Sequence, residues 1–181
     1  MKRFLLALAV LVCSCSESYT FIHYSDAQLG FYEKPYGEFA RTKAQFEAAV
    51  ARFHEFAPDM VFDTGDFCDQ SGHEGQNAAY KAIRESIEYP VYAVPGNHDI
   101  QDGYTPEKHA LFLEKYGYDR FAFRHKGDAF IGFDSNPARD NYQPDEAEVF
   151  AWLEKQLRKY SGARHIFLFY HCPVIYGAPD Q

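Results

Sequence analysis

"VPGNHD", residues 94–99, closes the apolar stretch "SIEYPVYA" and sets Asn97, His98 and Asp99 side by side where a buried strand is expected to end. Pro95 and Gly96 break the strand, so the three polar side chains hang from a turn whose base is fixed in the core. Turns mounted on a rigid scaffold are where binding and catalytic groups concentrate. Whether this turn is one of a set decides the fold.

Upstream, "YTFIHYSD" (19–26) and "DMVFDTGD" (59–66) read as strands that also end in polar turns. Between them "EFARTKAQFEAAVARFHEF" (38–56) carries Phe39, Phe46, Val50 and Phe53 on one helical face. "AAYKAIRESI" (78–87) repeats the pattern with Tyr80, Ile83 and Ile87 ahead of the strand "YPVYAVPGN" (89–97). The order is therefore βαβαβ. Downstream, Thr105 and Pro106 start a helix that Gly117 ends, and "FAFRHKGDAFIGFDSN" (121–136) folds back as a hairpin at Lys126 to Asp128. "PDEAEVFAWLEKQLRKYSG" (144–162) is a helix with Val149, Leu153 and Leu157 buried and Gly162 as its stop, followed by the strand "HIFLFYHCP" (165–173). This alternation predicts an α/β domain with a largely parallel central sheet, whose ligands gather beyond the carboxyl ends of the strands.

A length of 181 residues with 46% hydrophobic and 18% aromatic content allows one sizeable core without repeats. The formal net charge of -8 argues against nucleic acid as the partner. Residues 1–15, "MKRFLLALAVLVCSC", have a basic start, an apolar run from Phe4 to Val12 too short to span a bilayer, and cysteines beside small residues. They are expected to be a lipoprotein-type signal with Cys15 as the lipidated residue, or else an ordinary cleaved secretory signal; either way the domain, residues 16–181, is exported. Of the four cysteines, Cys68 and Cys172 then remain, as buried neutral thiols rather than a disulfide framework.

At the strand ends stand Asp26 and Gln28, Asp66 and Asp69, then Asn97, His98 and Asp99, and finally His171. Each alone reads as a cap or turn residue. Together they bring carboxylates to one place with few Lys or Arg nearby, and a bound cation is the natural way to neutralise them. Lesser candidates are His73 and Glu74 in "SGHEG", Asn136 as a cleft residue, and Phe31, Tyr32 and Tyr36 as an aromatic wall. His23 reads as a satisfied core histidine, and His54, His109, His125 and His165 as surface or element-end residues.

"SDAQ", "GDFCD", "GNHD" and "YHCP", in that order on successive strands, resemble the calcineurin-like metallophosphoesterase superfamily. The resemblance implies a β-sandwich flanked by helices, with its second sheet incomplete in this chain, and a pair of divalent ions (Mn, Fe or Zn). By position it implies Asp26 and Gln28 as ligands of one ion, Asp66 as the bridge, and Asn97 and His171 as ligands of the other. His98 faces the substrate as general acid, with Asp99 behind it. The implied substrates are phosphate mono- or diesters, as small molecules or phosphoproteins.

Two departures qualify this. Gln28 stands where most members have His, exchanging an imidazole nitrogen for an amide oxygen that favours a harder ion; a branch of the superfamily with Asp-Pro-Gln there dephosphorylates proteins or small monoesters. The closing Gly-His-x-His does not occur before "IYGAPDQ", so the chain is expected to be a C-terminally truncated form with an incomplete metal site. A nuclease or sphingomyelinase-like diesterase, and a degenerate binding domain without catalysis, are the alternatives.

Overall fold

The computed structural model describes residues 18–33 and 38–173. The expected leader, Tyr36 and the "IYGAPDQ" stretch lie outside them. Three strands, β1 (Phe21–Tyr24), β2 (Met60–Asp63) and β3 (Val91–Ala93), form a parallel sheet in sequence order, with Ile22 opposite Val61 and Val61 opposite Val91. The crossovers carry α1 (Ala40–Val50) and α2 (Glu74–Glu85).

The chain then departs from a single largely parallel sheet. After α3 (Pro106–Tyr116), strands β4 (Phe121–His125) and β5 (Asp128–Gly132) pair as the expected hairpin, and β6 (Ile166–Phe169) joins β5 in parallel to make a second sheet of order β4-β5-β6. Period-2 alternation explains the split. Phe21, Phe62, Phe121, Phe123, Phe130 and Phe169 point to one shared layer between the sheets, where the rings of Phe62 and Phe169 stack with centroids 4.0 Å apart. The opposite faces take helices. Tyr24, Phe46, Tyr80, Ile83 and Phe112 join the layer beneath α1, α2 and α3, while Ala129 and Ile131 pack under Leu153, Leu157 and Trp152 of α5 (Asp145–Lys159), which follows the single turn α4 (Asn136–Arg139). The result is a helix-flanked two-sheet α/β sandwich. β2 is buried at every position because both its faces are covered.

Local chemistry sets the element ends. α3 begins as expected, with the Thr105 hydroxyl accepting from the Lys108 amide and Pro106 in the first turn, and ends at left-handed Gly117. α2 starts four residues earlier than its apolar period suggests, because the His73 Nδ1 accepts from the Gln76 amide as an N-cap. α1 stops at Val50, and Phe53 and Phe56 fall in a separate 3-10 turn. α5 ends at Lys159 rather than at Gly162.

Candidate metal centre

Beyond their strands, the loops after β1 and β2 stay zipped together: Asp26 N donates to Gly65 O at 2.9 Å, Gln28 N to Asp66 O at 2.8 Å and Leu29 N to Phe67 O at 3.2 Å. This carries Asp26 to Asp66, and β6 delivers His171 to the same point. One ligand atom from each of the three lies within 4.8 Å of the others. Asp26, Gln28 and Asp66 all hold left-handed backbones, φ 58°, 39° and 57°. Non-glycine residues adopt that conformation uncommonly, Asp more readily than most, so three of them meeting at one point marks a tightly shaped pair of loops.

The glycines of the two motifs let the turns touch. Gly65 has φ +100° and packs on the Gly96 backbone, and a Cβ on Gly96 would meet the Asp66 carboxylate and amide. The clamp between the turns is Asp99. Its Oδ2 accepts from the amides of Asp66 and Gly96, both at 2.8 Å, and its Oδ1 from Phe67 at 2.9 Å. This corrects the expectation that Asp99 backs His98: its carboxylate is spent on backbone amides. Burial pushes the Asp99 carboxyl well above the ordinary range, against amide bonds that favour the anion.

Asp66 is the hub. Its Oδ1 accepts from the His98 amide at 3.0 Å, and its Oδ2 lies 3.3 Å from the Gln28 side-chain amide and 3.5 Å from His171 Nε2. His171 Nδ1 donates to the Thr64 carbonyl at 2.8 Å, which aims Nε2 into the cluster. A backbone carbonyl behind the distal nitrogen is the usual support of a metal-ligating histidine. Burial works against a charge on His171, but the hydrogen bond and charge of Asp66 outweigh it and raise the imidazole to about 9. The Asp66 carboxyl is correspondingly held low despite its burial. Carboxylates that draw a proton onto an imidazole would be balanced equally by a divalent cation, and this oxygen and nitrogen set suits one. Gln28 turns its NH2 toward Asp66, so it offers an oxygen only after rotation of the terminal amide.

Asn97 stands at the rim rather than in the trio. Its Nδ2 donates to Asp102 at 2.7 Å, and its Oδ1 lies 3.8 Å from the Cys172 sulfur. The His98 ring is fixed by Nδ1, which donates to the Asp69 carbonyl at 2.9 Å. Phe31, 44% exposed, sets its ring edge-on to His98 at 6.1 Å. Asn136 does not line a cleft: it is fully buried and its Nδ2 donates to Gly96 O at 3.3 Å, bracing the turn from behind. Cys68 and Cys172 are free, buried thiols, and burial pushes Cys172 up to about 11. His109 is half-buried against Asp119 at 3.0 Å, not a surface residue. Asp99 and Asn136 escaped sequence reading as braces because the partners they tie the turns to, Asp66, Phe67 and Gly96 backbone groups, lie 32 to 40 residues away.

Comparisons with known proteins identify the family. The calcineurin-like phosphoesterase family matches residues 19–181. A probable glycerophosphodiester phosphodiesterase of Arcobacter nitrofigilis is 31% identical over 124 residues, 66% of this chain and 44% of that protein. A serine/threonine-protein phosphatase of Danio rerio is 29% identical over 100 residues, 51% of this chain and 31% of that protein. The chain thus spans less than half the length of these relatives. Two solved structures share the fold at 12% identity: a dimetal phosphatase from Danio rerio (TM-score 0.61, covering 87% of this chain and 70% of that one) and a purple acid phosphatase from yellow lupin, Lupinus luteus, seeds (0.59, 85% and 30%). With the match running from Tyr19 through Gln181, the chain belongs to the calcineurin-like phosphoesterase family.

Proposed function

We propose that this domain hydrolyses phosphate mono- or diesters at the strand-end cluster, using two divalent ions of the Mn, Fe or Zn type. The observation that carries the reading is the convergence of Asp26, Asp66 and His171 within 4.8 Å. Asp66, central to the hydrogen bonds there, is the candidate bridge; Asp26 and Gln28 would serve one ion, and His171 with Asn97 the other. Bound ions would supply Lewis acidity to the phosphoryl group and an activated water for in-line attack.

The chain's own residues do the rest. Asp99 ties the two turns so that the ligands hold their places. The Asp69 carbonyl orients His98, whose Nε2 delivers a proton to the departing alkoxide. Relatives named for glycerophosphodiesters and for phosphoproteins support the breadth of this substrate class. A second reading, a non-catalytic binding domain, is favoured by the inward-facing amide nitrogen of Gln28.

Hydrolysis of p-nitrophenyl phosphate and bis(p-nitrophenyl) phosphate by the manganese-loaded protein separates these readings and the two ester classes. His98→Ala should slow turnover of an alkyl phosphate by about 10² to 10⁴ while affecting p-nitrophenyl esters far less, because their leaving group needs no proton. Metal content should not change. Equal loss on both substrates together with loss of metal would make His98 a ligand or a structural residue.

The same reading places the domain, residues 16–181, outside the cytoplasm on a lipid attached to Cys15, supported by the basic start and the apolar run of residues 4–12. Cys15→Ser should release it from membranes. Unchanged membrane association would reject the anchor.

A further inference from the structure

Three side chains that the proposed reaction does not use meet elsewhere. His109 lies on α3, Asp119 in the link to β4, and Asp134 just past β5; one ligand atom from each falls within 4.8 Å of the others. His109 Nε2 stands 3.0 Å from Asp119 Oδ2. Arg120 also binds Asp119, through Nε at 3.0 Å and Nη2 at 2.9 Å, and so offsets one of the two carboxylates. Glu148, largely exposed, faces the far side of that guanidinium at 3.6 Å.

Asp134 supplies the second observation. The residue is 1% exposed, and its Oδ1 accepts from the Asn136 amide at 2.8 Å and from Asn136 Nδ2 at 2.7 Å. Its Oδ2 is buried without a hydrogen-bond partner among the described residues. A buried carboxylate oxygen facing no donor is costly, and such an atom calls for an ion or a water. Metal–ligand bonds of roughly 2.0–2.2 Å place neighbouring donor atoms about 3 to 4 Å apart; the His109–Asp119 pair stands at 3.0 Å and the whole trio within 4.8 Å.

We propose that His109, Asp119 and Asp134 form a second cation site, separate from the Asp26 cluster, for one divalent transition-metal ion of the manganese class. The ion would take the place of the proton shared by His109 and Asp119 and engage Asp134 as a further ligand. Its role is to brace the fold. Asp134 holds Asn136, and Asn136 holds the Gly96 carbonyl, so an ion here ties α3 and the β4 entry to the "PGNHD" turn.

The test is manganese titration of the full chain, read as the loss of the free-ion signal in electron paramagnetic resonance. Manganese is the probe because it suits carboxylate and imidazole donors, whereas zinc is also captured by cysteine thiols. In an Asp26→Asn/His171→Ala background the strand-end cluster is disabled, and about one ion per chain should still bind. Adding His109→Ala or, separately, Asp134→Asn should weaken that binding by about 10-fold or more. Asp134→Asn keeps an acceptor for Asn136, and circular dichroism verifies its fold. No manganese in the background protein, or binding that both added substitutions leave unchanged, overturns the second site. A failure of the strand-end cluster is distinct: wild type and background would then bind manganese alike.

Discussion

The layer between the two sheets and the loops at the strand ends are built on opposite principles. In the layer, Phe21, Phe62, Phe123, Phe130 and Phe169 satisfy one another by area and shape, and no ring depends on a single partner. In the loops, Asp66, Asp99 and His171 depend on particular hydrogen bonds, and Asp66, like Asp26 and Gln28 beside it, holds a left-handed backbone. The layer secures stability, whereas the loops spend some of it to hold donors where a cation can be bound.

The contrast breaks most visibly at Phe62, which stacks on Phe169 and Phe130 at the centre of the layer. Phe62→Ala should cost about 3–5 kcal/mol in urea unfolding. Below the unfolding transition, manganese affinity should stay near wild type; a loss of affinity in the folded protein would show that the two regions are coupled.

Asp99→Asn should cost less stability and more function. Replacing one acceptor oxygen by NH2 turns a donor toward backbone amides and strands them, at about 1–3 kcal/mol. Because those amides belong to both turns, metal affinity at the strand ends should fall with it. Stability lost without loss of metal would reduce Asp99 to a purely local brace.

Acid sharpens the comparison further, since the aromatic layer does not titrate. Burial raises the Asp119 carboxyl, but His109 and Arg120 outweigh it and hold the group down to about 2. A depressed carboxylate adds stability above its unfolded value near 3.9, and that stability drains away as pH falls toward the folded value. Wild type should therefore lose about 1–2 kcal/mol between pH 4 and pH 2 through this group, and Asp119→Asn should flatten that part of the profile. An unaltered profile in the variant would remove Asp119 from the account.

The strand-end loops were legible because their chemistry demands particular residues at short spacing: "GDFCD" and "GNHD" announce carboxylate, amide and imidazole together. The hairpin at Lys126 to Asp128 and the capped helix from Thr105 were legible for the same local reason. The two-sheet split followed from the family resemblance of those motifs, not from the alternation of the strands themselves. Alternation in "FAFRH" shows that one face is buried but not which sheet covers it. Nor could sequence show that Asp99 serves amides 32 and 33 residues away, or that His109, Asp119 and Asp134, unmarked by any motif, come together. Those placements follow from tertiary packing.

The most direct measurement is manganese uptake by Asp66→Asn beside wild type, at matched urea stability. The substitution keeps the side chain's shape and one acceptor oxygen but removes the charge at the hub of the cluster. The strand-end ions should be lost, with affinity falling about 100-fold or more and the unfolding free energy moving by less than about 1 kcal/mol. Manganese uptake indistinguishable from wild type in the folded variant would contradict the assignment of these loops as a metal centre.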